Sequence, residues 1–395
     1  MPIATELSPP VRDSLLARNP LFQRFFSREA PGLAQAWREL SERFLRGGRL
    51  LAFGRGPYAT DAQHVAVEFV HPVIVGKRAL PALDLSPMFR EWLDASLRPE
   101  DVVLGFGPPE GDAEVQAALR AAAARGAMTL ALPGSAGSYA WEAETDDPFL
   151  HQELLELLYH TLWETVHVFF EHRELGQDVG AAAFLYPFLA KDQQPLADLP
   201  GEVARSILMK VEDAAALRTR VAEEAADAIA ELAIALHERV AGGGKLICFG
   251  NGGSATDAND FAIDCVAPPR GLRPLPAVSL ALDPATVTAI ANDVGADVIF
   301  LRQLIAHARP EDAAVAISTS GSSRNIVAAL AEARKRGLLT VALLGYDGGE
   351  IKRQGLADHC VVVGSDYIPR IQEVHASIYH ILRERLDMIA ERAVE

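Results

Sequence analysis

GGRLLAFGRG at residues 47–56 and GGKLICFGNG at 243–252 are two versions of one segment: a glycine break, a short apolar run and a glycine turn. Outward from them the correspondence continues. EDVVLGF at 100–106 answers EDAAVAI at 311–317, and each leads into an Ala-rich helix. Those helices end in ARGAMTLALPG at 124–134 and KRGLLTVALLG at 335–345. Last, Gln152-Glu153 with Tyr159-His160 answers Gln372-Glu373 with Tyr379-His380, at equal steps along the chain. Four matches in one order imply an internal duplication. We divide the chain into a first copy at 1–175, a linker at 176–200 and a second copy at 201–395.

Each copy reads as α/β. Amphipathic helices come first, as in VAEEAADAIAELAIALHERV at 221–240. The apolar run Lys245–Phe249 suits a strand buried on both faces, and further such runs at 313–317 and 339–344 alternate with helices. That alternation implies right-handed crossovers and a parallel sheet flanked by helices, a three-layer αβα, flavodoxin-like arrangement. A closing helix is expected over 371–390. The linker carries AAAFLYPFLA, a short apolar patch read as a small docked helix.

The 395 residues suffice for two domains with their own cores, and 49% of them are hydrophobic, so the chain should fold. A formal net charge of −16, scattered along the chain, argues against a nucleic-acid surface, which needs clustered Lys and Arg. It leaves room for small anions held by backbone N–H groups. Cys248, Cys265 and Cys360 form no CxxC pair and no zinc spacing, as expected of buried thiols in a reducing compartment. The start MPIATELSPPVRDSLL lacks the pattern of a signal peptide and no stretch is long enough to cross a bilayer, so a cytoplasmic location without a membrane partner is expected.

Two segments of the second copy suit an anion. FGNGGS at 249–254, with Asn251, Gly252, Gly253 and Ser254, leaves a strand and opens a helix. STSGSS at 318–323 does the same one strand on, with hydroxyls at Ser318, Thr319, Ser320 and Ser323. Hydroxyls at a helix N-terminus can hold a phosphate without a cation, and strand carboxyl ends are where open α/β sheets bind ligands. A glycine turn alone marks close packing and a Ser/Thr run alone marks an N-cap; the pair on successive strands favours phosphate. The first copy has GPPEGD at 107–112 instead, without hydroxyls and with two acids. Its GRGPYA fits a loose dinucleotide pattern, which alone would support a nucleotide-linked oxidoreductase and carries little weight.

In the first copy, DAQHVAVEF at 61–69 sets His64 and Glu68 four apart on one helix face. Imidazole and carboxylate at that spacing can ligate zinc, or the carboxylate can act as a base; an isolated HxxxE is more often only a polar helix edge. Gln152 and His160 recur in the other copy, yet lie about 12 Å apart along one helix. Either Gln152 sits in a bent first turn, or each serves a site shared with another domain or subunit, or both form a polar stripe between helices. The second copy keeps Gln372 and His380 but has Asp260 and Asp264 where the first has His64 and Glu68. This division suggests a composite site using both halves.

Together, GNGGS, ANDVG at 291–295, STSGSS and RIQEVHASIYH at 370–380 resemble the sugar isomerase (SIS) superfamily, and within it the phosphoheptose isomerases, over most of 203–395. The resemblance implies two tandem SIS domains, the first degenerate. It implies substrate contacts at Asn251, Gly252, Gly253, Asn292, Asp293, Ser318, Thr319, Ser320, Ser323 and Gln372, and a zinc set at His64, Glu68, Gln152 and His160. It also implies conversion of sedoheptulose 7-phosphate to glycero-manno-heptose 7-phosphate through an enediol, with Glu68 or Asp264 as base and His160 or His380 handling the oxygen protons. A homodimer forming a pseudo-tetramer of SIS domains would follow. Pro369 stands where the family has an Asp near the substrate. Related SIS proteins regulate a protein partner, so a non-catalytic phosphosugar sensor or assembly protein is the alternative.

Overall fold

A computed structural model describes residues 2–73, 77–174, 199–269 and 271–392. The expected linker at 176–200, with its apolar patch, lies almost wholly outside the described residues. In the first copy, β1 (Leu50–Gly54), β2 (Ala82–Asp84), β3 (Val102–Phe106), β4 (Met128–Leu132) and β5 (Tyr139–Ala140) form one sheet. Its helices are α1 (Pro2–Leu45), α2 (Ala59–Val70), α3 (Phe89–Ser96), α4 (Ala113–Ala124) and α5 (Pro148–Glu174). The second copy supplies α6 (Leu199–Glu224), α7 (Ala226–Ala241), β6 (Leu246–Gly250), α8 (Gly253–Val266), β7 (Ala277–Ser279), α9 (Pro284–Asp293) and α10 (Ile299–His307). It continues with β8 (Ala313–Ser318), α11 (Arg324–Lys335), β9 (Leu339–Gly345), α12 (Gly349–Arg353), β10 (His359–Val363) and α13 (Ile368–Arg392).

Both sheets are wholly parallel and have the same order, β2-β1-β3-β4-β5 and β7-β6-β8-β9-β10, the flavodoxin-like 2-1-3-4-5. The registers repeat too: Leu50 faces Val102 in one sheet and Leu246 faces Ala313 in the other. Every residue of β1, β3, β4, β6, β8 and β9 is buried, which is why these strands read as continuous apolar runs. Each central strand is entered beside a matching ion pair, Arg49–Asp101 at 2.7 Å and Lys245–Asp312 at 2.6 Å.

The compact units cut across the repeats. One comprises Pro20–Asp213; the other joins Met1–Asn19 to Ala214–Glu395. The start of α1 thus belongs with the second sheet, where Leu7, Val11 and Leu15 are buried in one core with Leu217, Ile229 and Leu232. The helix expected over 221–240 is interrupted at Ala225, whose backbone (φ −126°, ψ 1°) leaves the helical region, so its first turn belongs to α6.

Candidate active sites

In the unit Pro20–Asp213, α2 and α5 run side by side, their numbering rising together. Gln152 donates through Nε2 to Asp61 Oδ2 (3.0 Å) and toward Thr60 Oγ1 (3.3 Å). Two turns further along, His160 Nε2 lies 3.2 Å from Glu68 Oε1, which is 3.8 Å from His64 Nε2. The Tyr159 hydroxyl meets His64 Nδ1 at 3.1 Å. So Gln152 and His160 do lie on one helix, each facing a different turn of α2. The structure adds Glu156, on the turn between them: one ligand atom each from His64, Glu156 and His160 lie within 4.8 Å of one another. All these side chains are buried. Burial, and secondarily the neighbouring His160, pull the His64 pKa well below its ordinary value, so this imidazole is neutral and able to ligate.

The donor chemistry fits a divalent metal. Two imidazoles and a carboxylate on facing helices are a borderline-to-hard set of the kind zinc accepts, and ligand atoms around one ion lie within such a spacing.

The unit containing Ala214–Glu395 repeats this layout with other groups. Tyr379 donates to Asp260 Oδ2 (2.8 Å), as Tyr159 reaches His64. His380 Nε2 lies 3.3 Å from Asp264 Oδ2 and 3.5 Å from Asp260 Oδ2, and the three residues form a second possible metal-ligand group. Burial, then the charge of Asp260, raise the Asp264 carboxyl to about 7, with His380 and Arg383 opposing. Arg383 Nε donates to the Asp264 carbonyl (2.9 Å) and its Nη1 to Asp387 (2.6 Å). Gln372 is buried, one turn before Ala376 on α13.

The anion loops lie at the switch point between β6 and β8, whose carboxyl ends they extend. A Cβ on Gly250 would fall 2.1 Å from the Ser254 carbonyl oxygen, and Gly252 sits at φ +57°, so this turn admits only glycine at both places. Asn251 and Asn325 exchange amide hydrogen bonds (2.9 and 2.8 Å), tying the glycine turn to the start of α11. Nothing in the repeat comparison singled out Asn325. Within 318–323, Gly321 N donates to Ser318 Oγ (3.2 Å) and Ser322 N to Ser320 Oγ (3.3 Å). Ser323 is the N-cap of α11, with no side-chain capping bond among the described residues. Thr319 and Ser320 lie on the same loop, while Gly253 and Ser254 open α8. Asn292 and Asp293 end α9 in exposed positions, Asn292 donating to Asp293 at 2.8 Å.

The first copy keeps the turn and loses the loop. A Cβ on Gly54 would meet the Tyr58 carbonyl at 2.0 Å, the counterpart of Gly250. Asp112, however, caps α4 by accepting from Glu114 N and Val115 N at 2.8 and 3.0 Å. Its other oxygen takes Arg55 Nη1 at 2.9 Å. A carboxylate thus occupies the helix terminus that Ser323 caps in the second copy.

A flavodoxin-like sheet with glycine and hydroxyl loops at its switch point, and a buried carboxylate–imidazole set further along the helix that the glycine turn opens, defines an SIS-domain protein. The family model described as SIS domain matches residues 211–345. The protein of Trichlorobacter lovleyi named phosphoheptose isomerase is 43% identical over 182 residues, 46% of this chain and 92% of that protein. The one so named from Geobacter sulfurreducens is 47% identical over 170 residues, 43% of this chain and 87% of its own length. The C-terminal domain of glucosamine-fructose-6-phosphate aminotransferase from Francisella tularensis shares the fold over 98% of this chain and 94% of its own, with a TM-score of 0.60 at 9% identity. The chain belongs to the phosphoheptose isomerase family.

Proposed function

We propose that this chain is an aldose–ketose isomerase acting on a phosphosugar, of the sedoheptulose 7-phosphate type. The observation that carries the reading is the carboxylate–imidazole contact in each unit, Glu68–His160 at 3.2 Å and Asp264–His380 at 3.3 Å. Asp264 stands about 16 Å along the axis of α8 from Gly253, where the glycine turn opens the helix. Family membership supports the same class.

The chemistry follows from these groups. The carboxylate of Asp264 or Glu68 takes the proton from the carbon beside the carbonyl, leaving an enediol. The imidazole of His380 or His160 passes a proton between the two sugar oxygens, and the carboxyl returns its proton to the neighbouring carbon. A carboxyl titrating near 7 is matched to both steps. The N–H groups and hydroxyls at 251–254 and 318–323 hold the phosphate, with Gln372, Asn292 and Asp293 offered to the sugar. In the first unit His64, Glu68, Gln152 and His160 are the family's zinc positions, and a bound divalent ion would polarise the carbonyl and steady the enediolate. The thiols are free, Cys248 and Cys265 buried as expected but Cys360 only half-buried, which is consistent with a cytoplasmic home, and no described helix is long and apolar enough to cross a membrane. A homodimer is the proposed assembly.

The test is interconversion of sedoheptulose 7-phosphate with its aldose in D2O, in wild type, Glu68→Gln and Asp264→Asn. Turnover with solvent deuterium at the carbon beside the carbonyl is expected, reduced about 100-fold or more by loss of the base. If both halves serve one reaction, each substitution suffices. Phosphosugar binding without turnover or exchange refutes the enzyme and leaves a sensor. The Asp112 cap in the first copy is what favours that alternative.

A further inference from the structure

We infer that Asn325 is a positioning residue: its amide holds Asn251, and so sets the spacing between the glycine turn and the hydroxyl loop that together receive the phosphate. The inference rests on the phosphosugar reading above. Asn325 belongs to neither loop; it is the second residue of α11, behind the N-cap Ser323. Its Nδ2 donates to Asn251 Oδ1 at 2.8 Å, and its Oδ1 accepts from Asn251 Nδ2 at 2.9 Å. The Ile326 backbone N–H donates to the same Oδ1 at 2.9 Å, which fixes the end of the amide that is oxygen. Two opposed hydrogen bonds between planar groups fix orientation as well as distance. Because β6 and β8 are neighbours, this pair spans the switch point from one anion loop to the helix that the other opens.

The first copy is an internal control. Gly54-Arg55-Gly56 matches Gly250-Asn251-Gly252: the first glycines share the same close approach to a carbonyl, and the second ones lie at φ +60° and +57°. Glu114 is the second residue of α4, behind the N-cap Asp112, as Asn325 is of α11. Arg55 Nη1 lies 3.6 Å from Glu114 Oε1 and 2.9 Å from Asp112 Oδ2. Both copies therefore join the same two positions, although neither residue of the pair is the same. What differs is charge. A carboxylate in the first turn of a helix takes up the positive end of its dipole and repels a second anion, whereas an amide pair tethers the turn and leaves that terminus to the ligand. Asn325 thus serves the site twice, as tether and as the neutral member that keeps it open to phosphate.

The test is a double-mutant cycle in the full chain, with sedoheptulose 7-phosphate as the probe and calorimetry and turnover as readouts. Asn251→Ala and Asn325→Ala should each weaken binding about five- to tenfold, and the double variant no more than about twofold beyond the worse single one. The loss should fall on KM, with kcat kept within about twofold, because the pair holds the phosphate end of the substrate. Asn325→Asp should bind more weakly than Asn325→Ala, since it adds the charge that the first copy carries, and Asn325→Gln should recover part of the affinity. In the unliganded protein, hydrogen exchange over 250–254 should quicken in Asn325→Ala, while denaturation midpoints control for folding. Additive losses, unchanged exchange over 250–254, or Asn325→Asp binding as well as the parent would each overturn this inference alone. A parent that binds no phosphosugar would overturn the functional reading and this inference with it.

Discussion

Replacing Asp264 by Asn keeps the shape of the side chain and removes its charge. In the native protein burial, and then the Asp260 carboxylate, raise the Asp264 carboxyl from 3.8 to about 7. The unfolded chain has an ordinary carboxyl. Between those values the native state therefore holds a proton that the unfolded state has released, and stability falls as pH rises from about 4 to about 7, then levels off. At 1.36 kcal/mol for each tenfold change, the displacement is worth at most roughly 4 kcal/mol. Chelator-treated Asp264→Asn should match wild type within about 1 kcal/mol near pH 4.5 and exceed it by about 2–4 kcal/mol near pH 8. Thermal or urea denaturation of both proteins across that range is the assay. Parallel curves, with no growing gap toward high pH, would refute the reasoning that burial and Asp260 hold the proton on Asp264.

Gly250→Ala places a methyl 2.1 Å from the Ser254 carbonyl, so the glycine turn must open; we expect a loss of about 1–3 kcal/mol and weakened phosphosugar binding, read by denaturation and calorimetry. Burial pushes the Cys248 thiol well above its ordinary pKa and Cys265 to about 12, and Cys360, half-buried, is raised less. Alkylation of the native protein near pH 8 should mark Cys360 slowly and spare the other two until denaturant is added, as peptide mass spectrometry will show.

The sheets were legible because β1, β3, β6 and β8 are buried on both faces, and the sequence has no reason to alternate there. The His64–Glu68 pair was legible from helical spacing alone, since both lie on one face of α2. Glu156 was not, because comparing the copies favours positions that recur, and Ala376 stands opposite it. Asn325 escaped for a different reason: its partner Asn251 lies across the sheet's switch point, and an amide pair between loops leaves no periodic trace. The puzzle of Gln152 and His160, too distant for one ion, dissolves once α2 lies alongside, since each then answers its own turn of the neighbour. The break at Ala225 is carried by backbone angles in a run of good helix formers, which composition does not reveal.

The assignment of Met1–Asn19 to the second sheet has a bearing on heredity. Tandem copies that fold separately can be parted again by a single cut in the gene, and either product can evolve alone. Here a cut at the join of the repeats would deprive the downstream product of Leu7, Val11 and Leu15, each worth about 2 kcal/mol of burial to its core. The two copies are bound into one polypeptide by two leucines and a valine, remote in sequence from both glycine turns.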